Sequence, residues 1–378
     1  MPAETAGTKR AAKAATDAVA IDAHRLVTAV AGILTAVGIK AEDAEVVATD
    51  LVDADLEGVA SHGVMLLPMY VDRITKGSVS RLSAGEVVSD RGSAIVIDAG
   101  NALGQLTARQ AVKLAVARAQ EIGMAAVAVR NGFHFGTAGR YARLMAAQNC
   151  IGIVLSNTRP LMPAPGGAEP LVGNNPIAVA LPSAGEFAVE ADMALSATAM
   201  GKIRLAAAAG QSIPADWALD ADGNPTTDPA AAIKGMLLPA AGPKGFGLAF
   251  VIDLLCGGLC DGAVGAEVRP LYGDPSLPYR CSHFFLAIHA GHFPNAGRFA
   301  ERVRDEAARV SGSKRGPGVE RVYAPGELLW STRQRSGSVC RLDAQTVRTL
   351  IDTAARAGLG NFESSLFSEK FSNPGNDK

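Results

Sequence analysis

Two short apolar runs, Ile177-Ala-Val-Ala-Leu181 and Phe187-Ala-Val-Glu-Ala191, are separated by only a short loop. A connection of hairpin length joins antiparallel strands, because a parallel return needs a crossover of about a dozen residues or more. Any sheet that holds both runs is therefore at least partly antiparallel. Just upstream the pattern differs. Residues 93–98, 125–130 and 151–155 are strand-like, and they alternate with helical spacing over 106–122 and 137–149. Downstream, 246–259 reads as a buried helix, 284–288 as a late strand and 295–310 as an amphipathic helix. The combination predicts an α/β region with a mixed sheet over 86–310.

Outside that region, residues 20–77 read as entirely helical, within a first block of 20–85. Val47, Leu51 and Ala54 fall at helical steps, and Gly58 is a natural terminator. Val64, Leu67, Tyr70 and Ile74 restart the series, with Ser61 placed to cap it. Helical spacing returns over 344–357, within a C-terminal stretch of 311–367 that returns to the first block. Residues 1–19 and 368–378 read as flexible tails.

Composition narrows the classes. The chain of 378 residues has room for one large or two medium domains. It is 48% apolar, yet no run has membrane-spanning length, since 245–260 is short and interrupted by Asp253. A net charge of −1 offers no basic surface for nucleic acid or an anionic membrane. Five cysteines, Cys150, Cys256, Cys260, Cys281 and Cys340, form no disulfide framework and point to a reducing cytoplasm. The N-terminal stretch lacks the apolar core of a signal peptide. Cys256 and Cys260 lie one helical turn apart, with His283, His289 and His292 downstream. The cysteine pair falls in an apolar helix, however, and the histidines lack zinc-site spacing, so no metal is expected. The Gly-x-Gly-x-x-Gly fingerprint of a classical dinucleotide fold is absent.

Chemistry-bearing residues gather in a few loops. His62 follows Ser61 at a loop–helix junction, where a ring can exchange a proton near neutral pH; an ordinary surface histidine looks the same. His134, between Phe133 and Phe135, competes for that role or is a half-buried loop histidine. Asn157 and Thr158 end a strand. Asp192 can hold an imidazole or cap a turn. Lys244 stands in a glycine-rich turn before a helix, a setting suited to phosphate or to a plain turn. Pro325-Gly326-Glu327 reads as a type II turn.

Ser61-His62-Gly63, Asn131-Gly-Phe-His134-Phe-Gly136, Ser156-Asn157-Thr158, Pro165-Gly-Gly167, Gly173-Asn-Asn175-Pro176, Asp192-Met-Ala-Leu-Ser196, Gly201-Lys202, Asp222-Gly-Asn-Pro-Thr-Thr-Asp228-Pro, Gly242-Pro-Lys244-Gly-Phe-Gly247 and Pro325-Gly-Glu327 occur in that order. Together they resemble the malate/L-lactate dehydrogenase family, whose members reduce 2-oxo acids or cyclic imino acids with NADH or NADPH. The resemblance implies a non-Rossmann α/β fold: a helical domain built from both chain ends, and a two-layer α/β domain with a mixed sheet. It implies that His62, beside Ser61, gives the proton and that His134 lines the nicotinamide pocket. Asp192, Met193, Ser196, Lys244, Gly245, Gly326 and Glu327 would contact the NAD or NADP cofactor, with Asn157 and Thr158 close to nicotinamide or substrate. A homodimer acting on a small-molecule substrate is the implied assembly. The alternative is an inactive relative kept for binding a dinucleotide or another ligand. The chain departs from the family at Leu66, where an arginine commonly clamps the substrate carboxylate. Arg159 is the candidate replacement, unless it simply points into solvent.

Overall fold

The computed structural model describes residues 18–360 and 362–367. The expected C-terminal tail lies outside the described residues, as does the N-terminal one apart from Ala18 and Val19. Those two belong to a strand, β1 (Ala18–Asp22), at the start of a block that reads as entirely helical. The partner of β1 is distant in sequence, so local spacing does not reveal the strand. Asp22 accepts the N–H of Arg25 at 3.1 Å and so caps α1 (Ala23–Ala36). Leu26, Val30, Ile33 and Leu34 recur at helical spacing on α1 and are fully buried. Each contributes roughly 1.5–3 kcal/mol by leaving water. They pack on α2 (Ala41–Leu56), which ends before Gly58 at φ +80°. Two 3₁₀ turns, Ala60–His62 and Val64–Leu66, precede α3 (Leu67–Lys76).

The α/β region follows: β2 (Glu86–Arg91), β3 (Ala94–Asp98), α4 (Gly104–Ile122), β4 (Met124–Gly132), α5 (Ala138–Ala146), β5 (Cys150–Ser156), β6 (Met162–Pro163), β7 (Pro170–Val172), β8 (Ile177–Leu181) and β9 (Val189–Met193). Next come α6 (Met200–Ala209), β10 (Ala218–Leu219), α7 (Pro229–Lys234), β11 (Met236–Leu237), α8 (Pro243–Cys256), β12 (Cys281–His289), α9 (Ala296–Ser311) and α10 (Glu327–Ser336). The main sheet has the order β2-β3-β4-β12-β5-β8-β9. Only β3–β4 is parallel, so the sheet is mixed, as the 177–191 hairpin requires. Strand alternation feeds two cores. Val127, Val129, Val154, Phe285 and Ala287 join α4 and α5, whereas Leu155 and Phe284 pack in the cluster of Ala249, Ile252 and Cys256 from α8. The second hairpin strand starts at Val189, two residues later than the apolar run suggests, and it carries Asp192.

The chain closes with β13 (Val339–Asp343), α11 (Ala344–Arg356) and α12 (Phe362–Phe367). β13 pairs antiparallel with β1, placing Cys340 opposite Ile21. Two compact units result. One joins the described residues up to Thr75 with those from Thr332 onward, and the other is Lys76–Ser331.

Helix α8 differs from the buried helix expected. Gly245, Ala249, Ile252, Asp253 and Cys256 form its buried stripe, while Leu248, Phe250, Val251 and Leu254 are exposed. With the turn behind it, residues 243–260 are long and apolar enough to pass as a membrane span by length and composition alone, which corrects the sequence reading. Asp253 gives the segment another character. It is buried in the last turn, accepts from Asn157 at 2.9 Å and from the Gly265 N–H at 2.8 Å, and anchors α8 to the protein core.

Candidate active site

In the first unit, Ser61 and His62 lie on the corner between α2 and α3. Ser61 does not cap a helix as the sequence suggests, because a 3₁₀ turn places it mid-turn and α3 starts only at Leu67. Its hydroxyl instead lies 3.0 Å from Nδ1 of His62. The imidazole is half-buried, and burial lowers its pKa below the usual histidine value. Desolvation, rather than the helix terminus inferred from sequence, is the cause. Val64 and Leu66 are buried and fasten the second turn into the unit's core. The Leu66 position thus faces inward, where an aliphatic side chain belongs.

In the second unit, the segment 192–196 hydrogen-bonds to stretches that lie close in sequence to other predicted residues. At its start, Asp192 accepts the N–H of Gly139 at 2.8 Å, at the first turn of α5. That turn follows the loop of His134, which is half-buried. The loop is tightly held. A Cβ on Gly104 would lie 2.2 Å from the Phe133 carbonyl and 2.5 Å from that of His134, so only glycine fits there. The Phe135 ring stacks on His283 at 4.2 Å. Burial pushes the pKa of His283 down to about 3, which keeps that core ring neutral. At the far end of the segment, the Leu195 N–H donates to the Asn174 carbonyl and the Ala240 N–H donates to the Leu195 carbonyl, both at 2.8 Å. Ala240 leads directly into the Lys244 turn.

Lys244 is exposed on the first turn of α8, where backbone amides favour anions. Gly245 cannot carry a side chain, since its Cβ would meet the Ala240 carbonyl at 2.1 Å. Gly326 takes φ +87° and the Glu327 N–H bonds to the Ala324 carbonyl at 3.0 Å, as a type II turn requires. The turn is tied to β9 through the Glu190 N–H and the Pro325 carbonyl, 3.3 Å apart. Glu327 itself is buried. Burial raises its carboxyl pKa, but hydrogen bonds from Ser311, the Ala324 N–H and Arg321 outweigh that and hold it below the usual range. Its charge serves the loop 311–327.

Three other predicted residues differ in availability. Asn157, expected near substrate, is fully buried and spends its amide on Asp253, the Ala263 carbonyl and the Ser282 N–H at 2.7–2.9 Å. Ser196, expected to meet the cofactor, is buried and donates to the Thr198 carbonyl at 2.8 Å. Both have their polar groups satisfied within the protein. Thr158 is half-buried and bonds Asn174 and Asn175, whereas Met193 and Arg159 are exposed. The Arg159 guanidinium reaches only its neighbour, the Pro160 carbonyl at 3.3 Å, among the hydrogen bonds described. Cys256 and Cys260 are buried, and Cys260 donates to the Cys256 carbonyl at 3.0 Å. Among the described residues no group of three or more His, Cys, Asp or Glu side chains is arranged to hold a metal ion.

The family model for malate/L-lactate dehydrogenase matches residues 21–350. The L-sulfolactate dehydrogenase of Methanocaldococcus jannaschii is 34% identical over 329 residues, 86% of this chain and 94% of that protein. The chain belongs to the malate/L-lactate dehydrogenase family. The solved structure of the M. jannaschii enzyme superposes with a TM-score of 0.86 at 33% identity, covering 92% of this chain and 99% of that one. The (2R)-3-sulfolactate dehydrogenase (NADP(+)) of Chromohalobacter salexigens is 36% identical over 288 residues, 75% of this chain and 86% of its own. The ureidoglycolate dehydrogenase (NAD(+)) of Escherichia coli K12 is 34% identical over 290 residues, 77% of this chain and 82% of its own. With such relatives over nearly its whole length, this protein is a dehydrogenase.

Three acids of this dehydrogenase escape a reading based on motifs. Asp55 reaches the His62 corner from α2. Glu190 pairs with Arg143 at 2.7 Å and lies against Gly139, where a Cβ would clash with it at 1.7 Å. Asp253 secures Asn157. A signal existed for two of them: Glu190 interrupts a strand and Asp253 an apolar helix, and a buried acid needs a partner.

Proposed function

We propose that this dehydrogenase is a soluble cytoplasmic enzyme that uses NAD or NADP. Its substrate would be a small 2-hydroxy acid and its 2-oxo partner, or a cyclic imino acid. The observation that carries the reading is the His62 corner: a half-buried imidazole with lowered pKa beside a serine hydroxyl, within a chain of this family. The second unit suits a dinucleotide. Lys244 and the amides of the α8 first turn would hold its phosphates, with Asp192, Met193 and Gly326 along its length and His134 at the nicotinamide. When bound, the nicotinamide supplies or accepts hydride at C2 of the substrate.

The protein's own part is the proton. A lowered pKa leaves His62 neutral near pH 7, ready to take the hydroxyl proton as a 2-hydroxy acid is oxidised. In reduction, the protonated ring returns it to the oxygen or nitrogen, so charge does not build up there. Ser61 at Nδ1 fixes which ring nitrogen bonds the hydroxyl and presents Nε2 for the exchange. The test is a screen of 2-oxo acids, 2-hydroxy acids and cyclic imines with both cofactors, run on the parent and on His62→Asn. Turnover of the best substrate should fall by about two orders of magnitude or more in the variant, the usual worth of acid–base catalysis. Parent-like turnover in His62→Asn would remove this histidine from the mechanism and promote His134.

A further inference from the structure

The backbone of the Ser61-His62-Gly63 corner closes on itself. The His62 N–H bonds to the Val59 carbonyl at 2.9 Å, Gly63 to Ala60 at 3.0 Å, and Leu66 to Gly63 at 3.1 Å. Between the two turns Gly63 is extended, with φ −89° and ψ −158°, and the next amide, that of Val64, leaves the pattern. That amide donates to Oδ2 of Asp55 at 2.8 Å, across to the last turn of α2. The carboxyl also packs directly beneath Gly63. A Cβ built there would lie 2.1 Å from Oδ1, 2.3 Å from Cγ and 2.4 Å from Oδ2. The absence of a side chain at Gly63 and the presence of an acid at position 55 are therefore one arrangement.

The Asp55 carboxyl is half-buried beneath this corner. Burial, the largest cause, pushes its carboxyl up to about 7, with the charge of Asp343 on β13 adding to the effect and the Val64 N–H opposing it. Asp55, in α2, is fixed by helix packing rather than by the corner, and through it the His62 turn is referenced to a rigid element.

We propose that Asp55 is a positioning residue for His62: it fixes the Gly63–Val64 backbone and thereby the direction of the imidazole. This rests on the reading of His62 as the proton-transfer group. Asp55→Asn keeps an oxygen for the Val64 N–H and the same outline, so kcat should stay within about threefold of the parent. Asp55→Ala removes both, and kcat should fall about tenfold or more while the KM for cofactor hardly moves. Gly63→Ala, which leaves Asp55 intact but drives a Cβ into it, should lose a similar factor. The two losses should not multiply in the double variant, because deleting the carboxyl makes room for the methyl.

The measurements are steady-state kinetics on folded full-length protein, with amide hydrogen exchange at Val64. Faster Val64 exchange in Asp55→Ala together with the kcat loss and the Asn rescue supports the proposal. Parent kcat in Asp55→Ala overturns it, and so does an equal loss in Asp55→Asn, which would point to charge rather than position. Exchange at Val64 separates this proposal from the functional reading. If His62→Asn turns over like the parent, the role of His62 falls, and unchanged Val64 protection in Asp55→Ala would then overturn the positioning as well.

Discussion

At the scale of single residues, motif and availability part company. Asn157, Thr158 and Arg159 are consecutive, yet only Arg159 is exposed, while Asn157 is sealed behind it with three hydrogen bonds. Sequence identifies the loop because short polar residues end a strand there. It cannot say which neighbour turns outward, since that depends on Asp253, nearly a hundred residues away in the chain. Leu66 sharpens the question of what meets a substrate carboxylate, because its position is buried and aliphatic. We keep Arg159 in that role, its planar fork being suited to two carboxylate oxygens. Arg159→Leu should raise the KM for an acidic substrate by about tenfold or more, with cofactor KM little changed, on the scale of a charge-assisted hydrogen bond. Arg159→Lys should recover only part, as an ammonium lacks the fork. Unchanged substrate kinetics in Arg159→Leu would assign the carboxylate elsewhere.

At the scale of elements, the helices and central strands were legible because each carries its own periodicity. The hairpin β8–β9 by itself requires antiparallel pairing within the sheet. What escaped was non-local: β1 exists only because β13 pairs with it from the other end of the chain. The corner of His62 escaped for a related reason, since Asp55 and the burial of Val64 and Leu66 hold two 3₁₀ turns where local spacing suggests a capped helix. The start of α8 combines both kinds of information. Its Gly245 follows from close backbone approach to Ala240, and its lysine projects outward at the positive end of the helix. If that turn grips a dinucleotide, Lys244→Ala should weaken cofactor binding by about 1.5–3 kcal/mol without altering the unfolding midpoint. A fluorescence titration that returns the parent dissociation constant would reduce the turn to a structural role.

At the scale of the whole molecule, α8 poses the question that its sequence hides. A mostly apolar helix looks like a core helix, and one stripe of it is. The other presents Leu248, Phe250, Val251 and Leu254, exposed by 42–51%, with Leu259 at 62% just beyond. Contiguous apolar surface of this kind marks an interface more often than a free exterior. Asp253 ties the helix into the protein from its buried side, so the exposed side calls for a cover that a second copy of the chain would supply. A homodimer is also what the family resemblance implies. A stable pair buries about 800 Å² on each partner, more than one helix stripe provides, so surrounding loops would have to join it. Light scattering at micromolar concentration should accordingly give twice the chain mass. Phe250→Glu combined with Leu254→Glu should shift the mass to that of one chain and leave circular dichroism intact, because neither side chain belongs to the buried stripe. A parent protein that runs as a monomer at such concentrations would leave this face without the partner we assign to it.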